Sequence, residues 1–259
     1  MKNKIHTIDD SSSKFYVTNL HDDPQHSMDI NHNHYKNKTF KHIYLTFDDG
    51  PLPGSSNCID ICQHEQVKAS FFEIGIHYKR SPFGKKVYDR IASNAEQFVI
   101  CNHSMTHAFM GKYLDYYHHP DSALDDFLQG KKTLNIAHQI ARLPGNNGWA
   151  TKQGVRGSGL VKPLLNKMDS VGMNVIGWDL EWHFNSKGRP VGSPEKLLNL
   201  ADSLFAHGLT KNKNHLVILM HDHMFRLAED STKLVDFIKG LKRIEHVQFE
   251  KVTSYPGLR

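Results

Sequence analysis

The sequence predicts an α/β fold built on parallel strands, a barrel or an incomplete one, and three observations carry that expectation. From Lys41 onward short apolar runs alternate with amphipathic stretches, the pattern of strand and helix units. Acids and histidines collect directly after several of those apolar runs, on the rim where such barrels build their sites. The chain's 259 residues can bury one substantial core, so a second full domain is not expected.

Residues 1–40 stand apart as a polar extension, rich in His, Asn, Asp and Ser, in which Phe15–Leu20 is the one patch suited to a strand. The main domain is expected over 41–259. Its strands are read as His42–Phe47, Ala69–Ile74, Gln97–Cys101, Val175–Trp178, Leu216–Met220 and Val247–Lys251. The intervening helices are read as Ser56–Glu65, Gly84–Asn94, Ser122–His138, Leu160–Val171, Pro194–His207 and Ser231–Leu241. No internal repeat is visible.

Composition narrows the function classes. Apolar residues make up 39% and charged residues 23%, as in ordinary globular proteins. No stretch reaches the roughly 18 apolar residues of a membrane span. The formal charge of +5 comes from Lys and Arg scattered along the chain, so no nucleic-acid partner is expected. Cys58, Cys62 and Cys101 form neither a CxxC pair nor a regular framework, which argues against a disulfide scaffold. No apolar run follows the basic start, so no secretory signal is read and the chain as written is placed inside the cell; a periplasmic or extracellular home requires a leader outside this sequence. There are nineteen histidines, of which His32, His34 and His42 lie in a polar, His-rich stretch near the start.

Two constellations carry chemistry. Thr46-Phe47-Asp48-Asp49-Gly50-Pro51 puts adjacent carboxylates at a strand end. Their mutual repulsion is offset by a bound cation, one acid ligating it while the other takes a proton from water; the same residues also make an ordinary polar turn. Asn102-His103-Ser104-Met105-Thr106-His107 follows the next-but-one strand with two His four apart, which on one helical turn share a side. Together with Asp49 they make a set suited to Zn²⁺, Co²⁺, Ni²⁺ or Fe²⁺.

Later segments supply what amide hydrolysis also needs. Arg142-Leu143-Pro144-Gly145 offers a fixed positive charge for Asp48 and a backbone N–H for an oxyanion. Trp178-Asp179-Leu180-Glu181-Trp182 sets acids beside aromatic rings, and Leu219-Met220-His221-Asp222-His223 ends a strand in a His pair that can protonate a leaving amine. Singly, each has a bland reading as ion pair, core or strand-end cap. Tyr113, Tyr116, Tyr117 and Phe225 suit a sugar groove or the core, the core being the commoner fate.

In order from about Lys41 to Tyr255 these residues resemble the polysaccharide deacetylase family of chitin, chitooligosaccharide and peptidoglycan N-acetylglucosamine deacetylases, with TFDDGP at 46–51 and HSMTH at 103–107 carrying the likeness. The resemblance implies a distorted (β/α) barrel, often seven-stranded, and metal-dependent removal of acetyl groups from an N-acetylated glycan, a chitin-like oligomer or peptidoglycan. It implies Asp48 as general base, Asp49, His103 and His107 as ligands of Zn²⁺, with Co²⁺ or Ni²⁺ also served, and His221 as general acid. Arg142 would position the base and the Gly145 amide would form the oxyanion hole. The family usually has an aromatic residue where Gly145 stands, and Trp149, with Trp182, is the expected substitute for sugar binding. WDLEW offers both Asp179 and Glu181 to tune the catalytic His, with Asp179 favoured. Two rivals stand: an O-acetyl carbohydrate esterase on the same site, and a catalytically silent carbohydrate-binding relative. The sequence sets neither the glycan nor the oligomeric state.

Overall fold

The computed structural model describes residues 39–259. The polar extension, with Phe15–Leu20, His32 and His34, lies outside the described residues except for exposed Thr39 and Phe40. In chain order the elements are β1 (Lys41–Asp48), α1 (Pro53–His64), β2 (Ala69–Glu73), α2 (Gly75–Arg80), α3 (Pro82–Ala92), β3 (Phe98–Asn102), α4 (His107–Gly111), α5 (Tyr113–His118), α6 (Pro120–Thr133), β4 (Ile140–Ala141), β5 (Gly148–Thr151), β6 (Gly154–Gly157), α7 (Lys162–Ser170), β7 (Asn174–Val175), β8 (Leu180–Glu181), α8 (Pro194–Ala206), β9 (His215–His221), α9 (Ala228–Leu241) and β10 (Val247–Phe249).

Local chemistry starts and stops these helices. Pro53, Pro82, Pro120, Pro163 and Pro194 sit in first turns, where a missing N–H costs nothing. Ser81 and Ser193 cap α3 and α8 by accepting from Gly84 N and Lys196 N. On α9, Leu234, Phe237, Ile238 and Leu241 repeat at helical spacing and are all buried against the sheet. Cys58, Cys62 and Cys101 are free and buried, in keeping with a core held without disulfides.

Among the described residues ten strands join one sheet rather than the expected seven. Parallel ladders run β4–β3–β2–β1–β9, and β10 pairs with the first half of β1. Closure comes from one chain segment, 174–181: its start, β7, pairs with β4, and its end, β8, pairs with β9. Ile176 N still donates to Ala141 O while Asp179 N already donates to Val217 O, so the segment bends between them. That bend is the distortion of the barrel. It confines the strand expected over Val175–Trp178 to Asn174–Val175. The β5–β6 hairpin attaches antiparallel to β7.

The sequence pattern also missed α2, α5, β4 and the hairpin, and the helix expected to reach His138 stops at Thr133. Because the ladder strands β1, β2, β3, β4, β8 and β9 are parallel, their C-terminal ends share a rim, where Asp48 pairs with His221 and Glu73 with Asn102. At the start of β1, His42 stacks on His215 with ring centroids 4.6 Å apart, away from that rim.

Candidate active site

Asp48 ends β1 pointing into the barrel and is buried, with His221 its ladder partner on β9. Its Oδ1 accepts from Arg142 Nη1 at 2.9 Å, and its Oδ2 lies 3.7 Å from His103 Nε2. Arg142 is fully buried and donates through every arm: Nε to Ile176 O, Nη2 to Gly177 O, and Nη1 also to Thr46 Oγ1 at 2.6 Å. Ile176 and Gly177 are the residues at the bend that closes the barrel. The guanidinium thus satisfies carbonyls that the bend leaves without ladder partners, and it holds Asp48 in place.

The chain then turns at Asp49, whose φ of 77° is left-handed, as are Ser104 at 70° and His107 at 52°. Non-glycine residues in that region cluster where a site fixes the backbone. Asp49, His103 and His107 each bring one donor atom to within 4.8 Å of the others. Asp49 Oδ1 lies 3.1 Å from His107 Nε2 and 3.5 Å from His103 Nε2, yet it is a buried oxygen with no hydrogen-bond partner among the described residues. His103 Nδ1–H donates to Arg142 O at 3.0 Å, which leaves Nε2 with the lone pair that faces Asp49 in the neutral ring. An orphaned carboxylate oxygen and two imidazoles aimed at it fit a divalent cation. Burial opposes ionisation of Asp49, but the two imidazoles outweigh it and hold its carboxyl well below the usual range. Burial likewise opposes a charge on His103, and the Asp48 and Asp49 carboxylates raise its pKa in spite of it.

The His pair does not share a helical turn, as its spacing suggested. His103 follows β3 directly, and His107 begins five consecutive residues of positive φ, His107 to Gly111. Buried Asn102 shapes the loop, accepting from Ser104 N and donating to Phe127 O, while Asp126 accepts from Thr106 N. The two rings meet, centroids 5.2 Å apart, through that loop and not through helix periodicity.

Gly145 is exposed with φ of 64°, and no described residue accepts from its N–H. Asp179 is not beside His221: its oxygens accept from Lys211 N at 2.6 Å and Val217 N at 2.9 Å, four residues down β9. Burial, against those two amide donors, pushes it up to about 6. Glu181 pairs instead with His183 at 3.1 Å, and His221 Nδ1 is buried without a partner among the described residues. Among the described residues neither acid hydrogen-bonds that histidine. Trp149 and Trp182 are also corrected: Trp149 is 5% exposed and packs on Tyr255 inside the barrel, and Trp182 is fully buried between Phe225 and Phe237 with Nε1 donating to Val191 O. Tyr116, Tyr117 and Phe225 are core.

Four further neighbours surround the site; sequence reasoning missed Phe184 and Glu73, and it read His223 and Asp222 only as part of the strand-end segment 219–223. His223 Nδ1 lies 4.0 Å from Asp49 Oδ2. Phe184 stands edge-on to His221 and His223, centroids 4.9 and 4.5 Å away. Beneath Gly50, Glu73 and Asp222 are fully buried: a Cβ on Gly50 would lie 2.7 Å from Glu73 Oε1 and closer still to Asp222 Oδ2, so only glycine fits. Ser55 donates to Asp222 Oδ2, but both Glu73 oxygens and Asp222 Oδ1 have no partner among the described residues. Burial, then each other's charge for Glu73 and the nearby acids for both, pushes the two carboxyls well above their ordinary values. Glu73 ends β2 as Asp48 ends β1, a signal that could have been read.

Comparison with known proteins follows the same residues. The family described as polysaccharide deacetylase matches residues 35–142, which takes in Asp48, Asp49, His103, His107 and Arg142. A peptidoglycan-N-acetylglucosamine deacetylase of Bacillus cereus is 30% identical over 219 residues, 80% of this chain and 68% of its own length. A chitooligosaccharide deacetylase of Rhizobium leguminosarum bv. trifolii is 41% identical over 68 residues, 26% of this chain and 29% of its own. The crystal structure of the polysaccharide deacetylase Bc1974 from Bacillus cereus superimposes with a TM-score of 0.57 at 24% identity, covering 82% of this chain and 91% of that one, and shares the fold.

Proposed function

The chain belongs to the polysaccharide deacetylase family, and on that premise we propose that residues 41–259 form a catalytic domain that hydrolyses the acetamido group of an N-acetylated amino sugar within a glycan. The observation that carries this reading is Asp48, buried and held at 2.9 Å by Arg142 while its other oxygen faces the Asp49, His103 and His107 cluster. Those three residues would hold a divalent cation, Zn²⁺ first and Co²⁺ or Ni²⁺ on the same donors, which when bound supplies Lewis acidity to the acetyl carbonyl and to a water.

Asp48 removes a proton from the water that attacks the carbonyl carbon, and Arg142 keeps the carboxylate aimed there. The Gly145 N–H donates to the oxygen that gains charge. Protonated His221 donates to the departing nitrogen as the C–N bond breaks, leaving acetate and a free amino sugar. Peptidoglycan and chitin oligomers are the first glycans to try, being those named for the two relatives.

A second reading has its own observation. Among the described residues His221 Nδ1 has no carboxylate partner, and an O-acetyl ester asks less of the acid than an amide does. Acetate release from N-acetylglucosamine oligomers, peptidoglycan and O-acetylated xylan, by chelated protein before and after adding Zn²⁺ or Co²⁺, separates the two. The amide reading expects metal-restored release from an N-acetyl substrate that Asp48→Asn abolishes. Release from the ester alone would overturn it.

A further inference from the structure

Two half-exposed aromatic rings flank the site on preorganised pieces of chain. Tyr113, 37% exposed, stands edge-on to His107 with centroids 5.7 Å apart. It has that place because Gly145 lacks a side chain: a Cβ there would sit 2.8 Å from ring carbon Cε1 of Tyr113. The ring is fixed from below, since α5 buries Tyr116 and Tyr117 and the Tyr117 hydroxyl donates to Pro144 O at 2.6 Å. The tie joins α5 to the turn that carries Gly145.

On the other flank, Phe184 is 42% exposed and faces His221 and His223 edge-on. Its loop is pinned as well. Phe184 bridges to Pro190, Asn185 N donates to Arg189 O, and Arg189 clasps buried Asp230 on α9 through Nε at 2.8 Å and Nη2 at 3.1 Å. Exposed rings on pinned backbone lose little entropy when a ligand settles on them.

We propose that Tyr113 and Phe184 are the two walls of the sugar subsite, packing the apolar C–H faces of an N-acetylated pyranose, Tyr113 on the side of the cation ligand His107 and Phe184 on the side of His221. The assignment rests on the deacetylase reading and deepens it. It takes over the role that Trp149 and Trp182, both buried, do not fill.

The test measures binding of the N-acetylglucosamine tetramer to chelated protein by calorimetry, and KM for acetate release by the Zn²⁺-loaded protein. An edge or stacking contact of an aromatic ring is worth about three- to tenfold in affinity, so Tyr113→Ala and Phe184→Ala are each expected to raise Kd and KM by about that factor, with Tyr113→Phe close to wild type. Tyr113→Leu and Phe184→Leu keep apolar bulk without a flat face, and they are expected to bind as the Ala variants do. Leu variants that bind like wild type, or folded Ala variants within about twofold of it, would overturn the proposal while acetate release by the wild type left the deacetylase reading standing. A wild type that neither binds the tetramer nor releases acetate from any N-acetyl substrate would overturn both.

Discussion

Arg142 is where the barrel's geometry and its chemistry meet, because the same guanidinium fills the bend at Ile176 and Gly177 and orients Asp48. It also lies over the Phe72 ring at 4.2 Å, so no water reaches it to replace a lost donor. Arg142→Lys keeps the charge but cannot span four acceptors, and breaking a buried pair of this kind costs about 3 kcal/mol. Urea denaturation checks that figure, and a loss below about 1 kcal/mol would show that water or repacking takes over the contacts. Glu73 makes the opposite prediction. Burial, then Asp222, Asp48 and Asp49, raise its folded-state pKa above the ordinary carboxyl value, so its contribution is favourable at low pH and is lost as pH rises through the interval between the two. Glu73→Gln is therefore expected to raise the unfolding temperature of the metal-free protein more at pH 8 than at pH 5, and an equal shift at both would refute the pairing. At this scale the strand-end acids and histidines were legible because one residue type at one position carried the signal. Phe184 was not, and Tyr113 was read only as one of four rings suited to a sugar groove or the core, since their neighbours His107, His221 and His223 are set by loop paths that periodicity does not encode.

The element most at odds with the sequence pattern is α4, where Ala108, Phe109 and Met110 hold φ between 52° and 61° after His107. Each L-residue in that conformation costs about 1–2 kcal/mol. Phe109 packs on Tyr116 and Ala108 is fully buried, so their side chains offset that cost by packing. Met110 is 65% exposed and has little packing to lose. Met110→Gly is expected to stabilise the protein by about 0.5–1 kcal/mol, the relief of strain less the extra entropy glycine has when unfolded. Chemical denaturation reads it directly, and destabilisation would mean that position 110 is not left-handed in solution. Helices with Pro or Ser at their starts and an apolar stripe were read from sequence to within a few residues, as α8 shows. The two-residue strands β4, β7 and β8 were missed or shifted because two residues hold no period, and their pairing is dictated by the bend between them.

For the whole molecule, the cation site joins parts of the chain that the barrel alone connects only through strand ladders. Asp49 leaves the first strand, while His103 and His107 leave the third, with β2 hydrogen-bonded between them. The barrel was foreseeable from alternating apolar and amphipathic runs; its closure by 174–181 was not, because that segment belongs to two ladders at once. Separated ligands of this kind assemble only in the folded state, so a bound cation adds its binding free energy to folding. At free metal of about 100 times Kd that contribution is about 2.7 kcal/mol. For a domain of this size it corresponds to a rise of roughly 5–10 °C in unfolding temperature. Calorimetric scans of chelated protein with and without added Zn²⁺ are expected to show the rise, and His103→Ala, which removes one ligand, is expected to abolish most of it. Protons compete with the cation for imidazole, so the rise should shrink between pH 8 and pH 6. A Zn²⁺-dependent shift that survived His103→Ala undiminished would place the cation elsewhere, on the surface histidines, and would remove the ground for assigning Asp49, His103 and His107 to it.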